Sequence, residues 1–404
     1  VRTRTRAMGS DRIAKKKVFP ETHGAECTKV RHLTPVIRAS VAMGRRVRIG
    51  LHANLIWRFG AFICMFMFNL LSERAESLEM DLAVIHSCAL LPTGKVMCWG
   101  YNGDGQLGDG TYNNSATPVE VAGISTAISI GLSGYHSCAL LMSGKVMCWG
   151  WGGEGRHGDG TTNNKRHTPV EALSITTAAS IGLGHDHSCA VLADGKSMCW
   201  GYNIWGQLGD GTTTNSAVPV EVVGISTATS IAGGNDHTCA LLVGGTVTCW
   251  GSNGSGQLGD GTTTQRLSPV QVPGISTATS ISLGAYHSCA LLTDGKVMCW
   301  GFNDNGDIGD GTTVSRTVPI EVLGISTATS IGAGSYHSCA VLADGKVMCW
   351  GLNGEAGQLG DGTADVNRLT PVEVIGISTA TRMAHGLGRY HSCAVLTGQK
   401  VMCW

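Results

Sequence analysis

The sequence predicts an all-β fold, a seven-bladed β-propeller, on three observations. A cysteine-bearing segment, first met as HSCALLPTGKVMCWG at 86–100, recurs seven times. The leading cysteines of successive copies, from Cys88 to Cys393, stand 50, 51, 50, 50, 50 and 54 residues apart. Each period carries short β-branched or alternating runs bounded by Gly, Pro and Asp, which read as strands. A fixed period near 50 residues marks stacked supersecondary units, and four antiparallel strands per unit make a propeller blade.

Within one period the elements come in a set order. The first strand is of the TATSI type (227–231), the second is HSCAL (86–90), and the third is KVMCW (95–99). A glycine-rich stretch such as GYNGDGQLGDGT (100–111) follows, then a fourth strand of the TPVEV type (117–121). In that stretch Gly105, Gly108 and Gly110 suit positive φ. The aspartates Asp109, Asp159, Asp210, Asp260, Asp310 and Asp361 suit turns closed by their own carboxylates, without the alternating carboxylates of a calcium loop. Tryptophans at 99, 149, 200, 250, 300, 350 and 404 recur at one position and read as core between blades.

Composition agrees with a turn-rich β protein: 58 glycines, 43% apolar residues and 14% charged residues in 404. The zero net charge hides an asymmetry. Residues 1–58 hold fourteen Lys and Arg against three Asp and Glu, leaving fifteen against twenty-six in the rest. An acidic repeat region speaks against a nucleic-acid surface on the propeller. Residues 1–80 read as a basic leader. Within it FGAFICMFMFNLL (59–71) is too short for an ordinary span and follows Arg45, Arg46, Arg48 and Arg58, the pattern of a secretory signal. No clean cleavage site follows, so 55–71 could instead remain as a membrane anchor; a buried core segment is the bland alternative. The propeller is expected over 81–404. Its last blade lacks a PVEV strand, which either a continuation past Trp404 or HLTPVIRAS (32–40) would supply.

The two cysteines of each copy are ten apart, so a three-residue turn such as ADG (193–195), with glycine in a left-handed bulge, sets them directly opposite. The expected disulfides are Cys88–Cys98, Cys138–Cys148, Cys189–Cys199, Cys239–Cys249, Cys289–Cys299, Cys339–Cys349 and Cys393–Cys403. The last copy has TGQ in place of the usual turn. Such pairing points to an oxidising compartment, outside the cell or at its surface. Free buried thiols are one rival. The other is a metal held by the histidine two residues ahead of each leading cysteine, but each such site would lack a fourth ligand.

The frame G-x-x-H-S-C-A-L-L-x-D-G-K-V-x-C-W-G-x-N-x-x-G-Q-L-G-D-G-T, repeated from residue 82 to 404, resembles the repeat of the regulator of chromosome condensation family. The resemblance implies a seven-bladed propeller. It also brings a nuclear relative that exchanges guanine nucleotide on the small GTPase Ran and binds chromatin, and a secreted bacterial β-lactamase inhibitor of the same class. The paired cysteines depart from the nuclear pattern and resemble exported versions.

Function is expected where the repeats differ. The residue before each repeat histidine runs Ile85, Tyr135, Asp186, Asp236, Tyr286, Tyr336 and Tyr390, a ring of candidate partner contacts. Three residues before the blade prolines stand Arg166, Arg266, Arg316 and Arg368, a candidate basic arc. Trp151 and Trp205 are off-pattern aromatics in the glycine loops. Packing of the tyrosines and solvation of the arginines are the structural alternatives. No nucleotide, haem or dinucleotide motif is present, no cofactor or metal is expected, and His157, His167, His185, His385, Glu154 and Glu355 are scattered through the sequence, so no catalytic cluster is expected. The expected molecule is a monomeric ring, exported and disulfide-stapled, that binds a protein without chemistry. The alternative is an intracellular exchange factor for a small GTPase, with Lys15 to Lys17 in a targeting arm; a third is an enzyme using the central channel.

Overall fold

A computed structural model describes residues 78–384, 388 and 391–404. The leader, its apolar segment and the Pro35 stretch lie outside the described residues. Seven antiparallel sheets succeed one another along the chain, blades 1 to 7, at 79–120, 127–171, 178–221, 228–271, 278–321, 328–373 and 380–403. Blades 1 to 6 are four-stranded meanders, and blade 7 has three strands among the described residues. Blade 1 begins with Glu79–Leu82, a strand whose EMDL sequence lacks the TATSI pattern.

The first strand of each blade is innermost. Blades 1 to 5 line a central cavity of about 280 Å³ with Glu79, Asp81 and a circle of serines, Ser129, Ser180, Ser230 and Ser280. Blade 7 meets blade 1 through Met80, Leu82 and Ala89 packed against Ala384, Cys393 and Val395, and Arg382 Nη2 donates to the Leu78 carbonyl. The ring therefore closes by side-chain packing at this seam.

The cysteine register is the expected one. Cys189 lies directly opposite Cys199, the other six pairs likewise, and all seven are disulfide-bonded with Cα–Cα 4.1 Å. In blade 7 Gln399 takes the left-handed position, φ 59°, that glycine fills in the others. In blades 1 to 6 the disulfide is buried toward the following blade; Cys88 and Cys98 pack with Ala139 and Trp149, whereas Cys403 of blade 7 is exposed. Trp149, Trp200, Trp250, Trp300 and Trp350 are fully buried between blades, whereas Trp99 and Trp404, beside the seam, are partly buried.

The repeat histidine joins neighbouring blades. His237 Nε2 lies 2.9 Å from Ser288 Oγ in the next blade, and the same bond, 2.7–2.9 Å, links His86, His136, His187, His287 and His337 to the hydroxyl one blade on. That hydroxyl donates in turn to a glycine-loop carbonyl: Ser288 Oγ to Gln257 O at 2.9 Å, where Trp300 Nε1 also donates at 2.9 Å. Because the single hydroxyl proton goes to the carbonyl, the imidazole must be the donor, from Nε2–H. The ring lies so close to glycine that a Cβ on Gly234 would meet His237 Cε1 at 2.1 Å. Blade 2 has Ser133 at that position, with Oγ 2.5 Å from His136 Nδ1. Cysteines bonded to each other leave no thiolates for the histidine–cysteine metal set.

Candidate functional site

In an up-and-down blade, the connection from first to second strand and that from third to fourth emerge on the same face. The residues before the histidines and the glycine loops thus share one face, and the cysteine-hairpin turns occupy the other. The glycine loops of blades 1 and 3 to 6 are each organised around one asparagine. Asn102 Oδ1 accepts from Leu107 N at 2.9 Å, and its Nδ2 donates to the Thr111 carbonyl at 3.1 Å and to Asp109 Oδ1 at 3.3 Å. Asp109 Oδ1 then accepts from Thr111 N at 2.9 Å, the expected carboxylate-closed turn.

The expected basic arc is altered by pairing. Arg166, Arg266, Arg316 and Arg368 each reach the aspartate of their own loop, Asp159, Asp260, Asp310 and Asp361, at 2.5–2.7 Å. Burial alone would raise Asp310, but bonds from Thr312 and Arg316 overcome it and hold the carboxyl below its ordinary range. These guanidiniums close loops and are not an open positive surface; in blades 1 and 3 Ser115 and Ser216 stand in their place.

The other set does assemble into a rim. The residue after each Trp-Gly pair donates its N–H to the carbonyl of the residue before the histidine: Trp151 to Tyr135 at 2.9 Å, Tyr202 to Asp186 at 3.0 Å, Phe302 to Tyr286 at 2.9 Å. Side chains from both positions therefore neighbour one another. Tyr135 is 39% exposed and stands edge-on to His185 at 5.5 Å. Tyr286, Phe302 and Tyr336 pack mutually with centroids 6.1–6.3 Å apart. Lys165 Nζ lies 5.8 Å over the Trp151 ring and 2.7 Å from Asp104. Trp205 is 43% exposed at a loop tip beside Ile204. Tyr390 lies outside the described residues. Tyr101, Tyr202 and Phe302 were not among the sequence candidates; their signal is an aromatic recurring directly after Trp-Gly.

Blade 2 carries an irregularity that the sequence pattern did not connect. Its loop replaces the hub asparagine with Gly152, the usual glutamine with Arg156 and the usual leucine with His157. A Cβ on Gly152 would come 2.6 Å from the His157 ring, so the imidazole fills the space of the missing asparagine. Arg156 is buried and places Nη2 2.8 Å from Asp186 Oδ1, which also lies 2.8 Å from His185 Nδ1. Burial would raise Asp186, yet His185 and then Arg156 hold it below the usual carboxylate range. Asp236, one blade on, accepts from the neutral Gln207 Nε2 at 3.3 Å. Burial, and then Asp186, push it up to about 6. Two of the histidines expected to be scattered, His157 and His185, therefore belong with Glu154 to one sector spanning blades 2 to 4. His167 packs edge-on to Tyr112 at 5.0 Å, apart from it, and His385 lies outside the described residues.

A regular ring with one irregular rim defines a scaffold whose individuality sits on a single loop face. The chain belongs to the RCC1-like domain family: that description matches residues 81–328, and regulator of chromosome condensation (RCC1) repeats match 328–358 and 344–395. Among solved structures it is similar to Prp20p from Saccharomyces cerevisiae, characterised with its binding to Gsp1p and histones, at 22% identity over 76% of this chain and 80% of that one, TM-score 0.67. Human WBSCR16 is similar at 20% identity over 77% and 85%, TM-score 0.68. Yeast RCC1 (Prp20) bound to Kap60 is similar at 22% over 76% and 77%, TM-score 0.66. At these identities the likeness shows the fold.

Proposed function

We propose that this protein is a non-catalytic, exported, disulfide-stapled propeller that recognises a partner protein through its glycine-loop face. One observation carries the reading. The symmetric histidines, cysteines, arginines and interblade tryptophans are engaged inside the scaffold, whereas the loop face keeps partly exposed aromatics that differ from blade to blade. Tyrosine and tryptophan at such positions are the residues that anchor interfaces. The yeast proteins of similar fold bind proteins: Prp20p binds Gsp1p and histones, and yeast RCC1 (Prp20) is bound by Kap60. Seven disulfides favour an oxidising compartment and weigh against the intracellular exchange factor.

The test is capture of the partner from the protein's native surroundings, with cross-links mapped by mass spectrometry. Replacing Tyr135 and Trp205 together by Ala should weaken capture at least about tenfold, as loss of two interface anchors does. Met142→Ala and Val243→Ala, at exposed positions of the hairpin-turn face, should leave it unchanged. Cross-links and losses confined to the hairpin-turn face would overturn the assignment.

A further inference from the structure

The sector of blades 2 to 4 deepens that reading and rests on it. Three carboxylates, Glu154, Asp186 and Asp236, lie close enough to Tyr202 to raise its hydroxyl above the ordinary range, after the effect of burial. Among the described residues Arg156 answers them: nine-tenths buried beneath the rim, it pairs with Asp186 and leaves Nε and Nη1 without hydrogen-bond partners there. Among the described residues Glu154 accepts from a neutral donor, Asn215 Nδ2 at 2.6 Å, and its backbone is held at φ 61°, a left-handed conformation unusual off glycine. The sector is thus acidic in excess, and it faces outward beside a half-buried tyrosine. The next loop carries Ile204 and Trp205, 47% and 43% exposed, where the equivalent blade 1 and blade 4 loops carry Gly-Asp and Gly-Ser. Carboxylate, aromatic face and adjacent apolar tip are together the complement of an Arg or Lys side chain flanked by an apolar residue.

We propose that the partner inserts an arginine or lysine side chain at this rim, with Asp236 as its counter-ion, Tyr202 as the face it lies against, and Trp205 as the neighbouring apolar contact. Arginine fits better than lysine, because its planar guanidinium can stack on the ring while bonding the carboxylate through two N–H groups. The asymmetry also fixes register: in a ring of near-identical blades, one acidic sector gives the partner a single rotational position.

The test uses the intact chain and a phage-displayed library of random peptides. Peptides whose binding is lost on Trp205→Ala should be enriched in Arg or Lys beside an apolar residue, and selection on Asp236→Asn should lose the basic enrichment. A selected peptide resynthesised with citrulline for arginine, or bound to Asp236→Asn, should weaken at least about tenfold by fluorescence anisotropy, the size expected for a close interfacial charge pair. Asp194→Asn, in an exposed turn of the opposite face, should change nothing, and equal unfolding midpoints would show that Asp236→Asn folds normally. Loop-face peptides without basic residues, or bound equally by Asp236→Asn, would overturn this inference and leave the loop-face reading standing. A library yielding no peptide sensitive to loop-face substitution would contradict both.

Discussion

The repeat histidines of blades 1 to 6 are neutral and act as donors. Burial pushes His86, His237 and His287 down to about 3 and His187 and His337 to about 4, from an ordinary 6.5, and holds His136 well below it. The unfolded chain therefore binds more protons than the fold at mildly acidic pH. The stability these residues contribute is complete above pH 6.5 and is lost as pH falls toward 3–4. Three carboxyls act in the opposite sense: burial raises Asp81 to about 8, Asp307 to about 7 and Asp236 to about 6, so their contribution grows with acid. Six histidines outnumber three aspartates, so net stability should fall between pH 6.5 and 4. A urea midpoint lower at pH 5 than at pH 7.5 is the expected result; an equal or higher one would contradict it. The hydroxyl that accepts from the histidine is the second residue-scale test. Ser288→Ala leaves the buried His237 donor without its acceptor and should cost about 1–3 kcal/mol in equilibrium unfolding.

The hairpin and the glycine loop are the working units. Opening one disulfide, through Cys289→Ala with Cys299→Ala, should cost about 2–3 kcal/mol by releasing a loop of roughly ten residues, read as a lower unfolding midpoint. In the glycine loop the aspartate has several partners and the arginine one pairing of consequence. Asp310 accepts from Thr312 N, Thr312 Oγ1, Asn303 Nδ2 and Arg316. Arg316→Ser, which copies what blades 1 and 3 already carry, should cost under about 1 kcal/mol, while Asp310→Ala should cost more, since it strands buried donors. Equal losses for the two would show that the ion pair, and not the turn, holds the loop. At this scale the sequence was most legible. A period of 50 and an i/i+10 cysteine spacing determine strand order, register and pairing, because side-chain alternation leaves one arrangement that buries every copy alike. The Arg–Asp closure was less legible: two residues six or seven apart meet only once the loop has folded back. The first strand of blade 1 was hidden because Glu79 and Asp81 replace the usual serine and small residue. The blade 2 cluster escaped because Arg156, His185 and Asp236 come from three blades, and only the ring brings them together.

The whole molecule reads as a repeated scaffold with a single irregular rim. Its interblade contacts repeat from blade 1 to blade 6, so no blade is specialised by its core; specialisation lies in Trp151, Arg156, Asp186, Trp205 and Asp236 on one face. On the function proposed above, the partner is to be sought where the seven disulfides persist. The most direct measurement is a thiol count by mass spectrometry on denatured, unreduced protein taken from its natural compartment. The fourteen repeat cysteines should be recovered as seven bridged pairs, each spanning ten residues. Free thiols at those positions would contradict both the staples and the exported scaffold built on them.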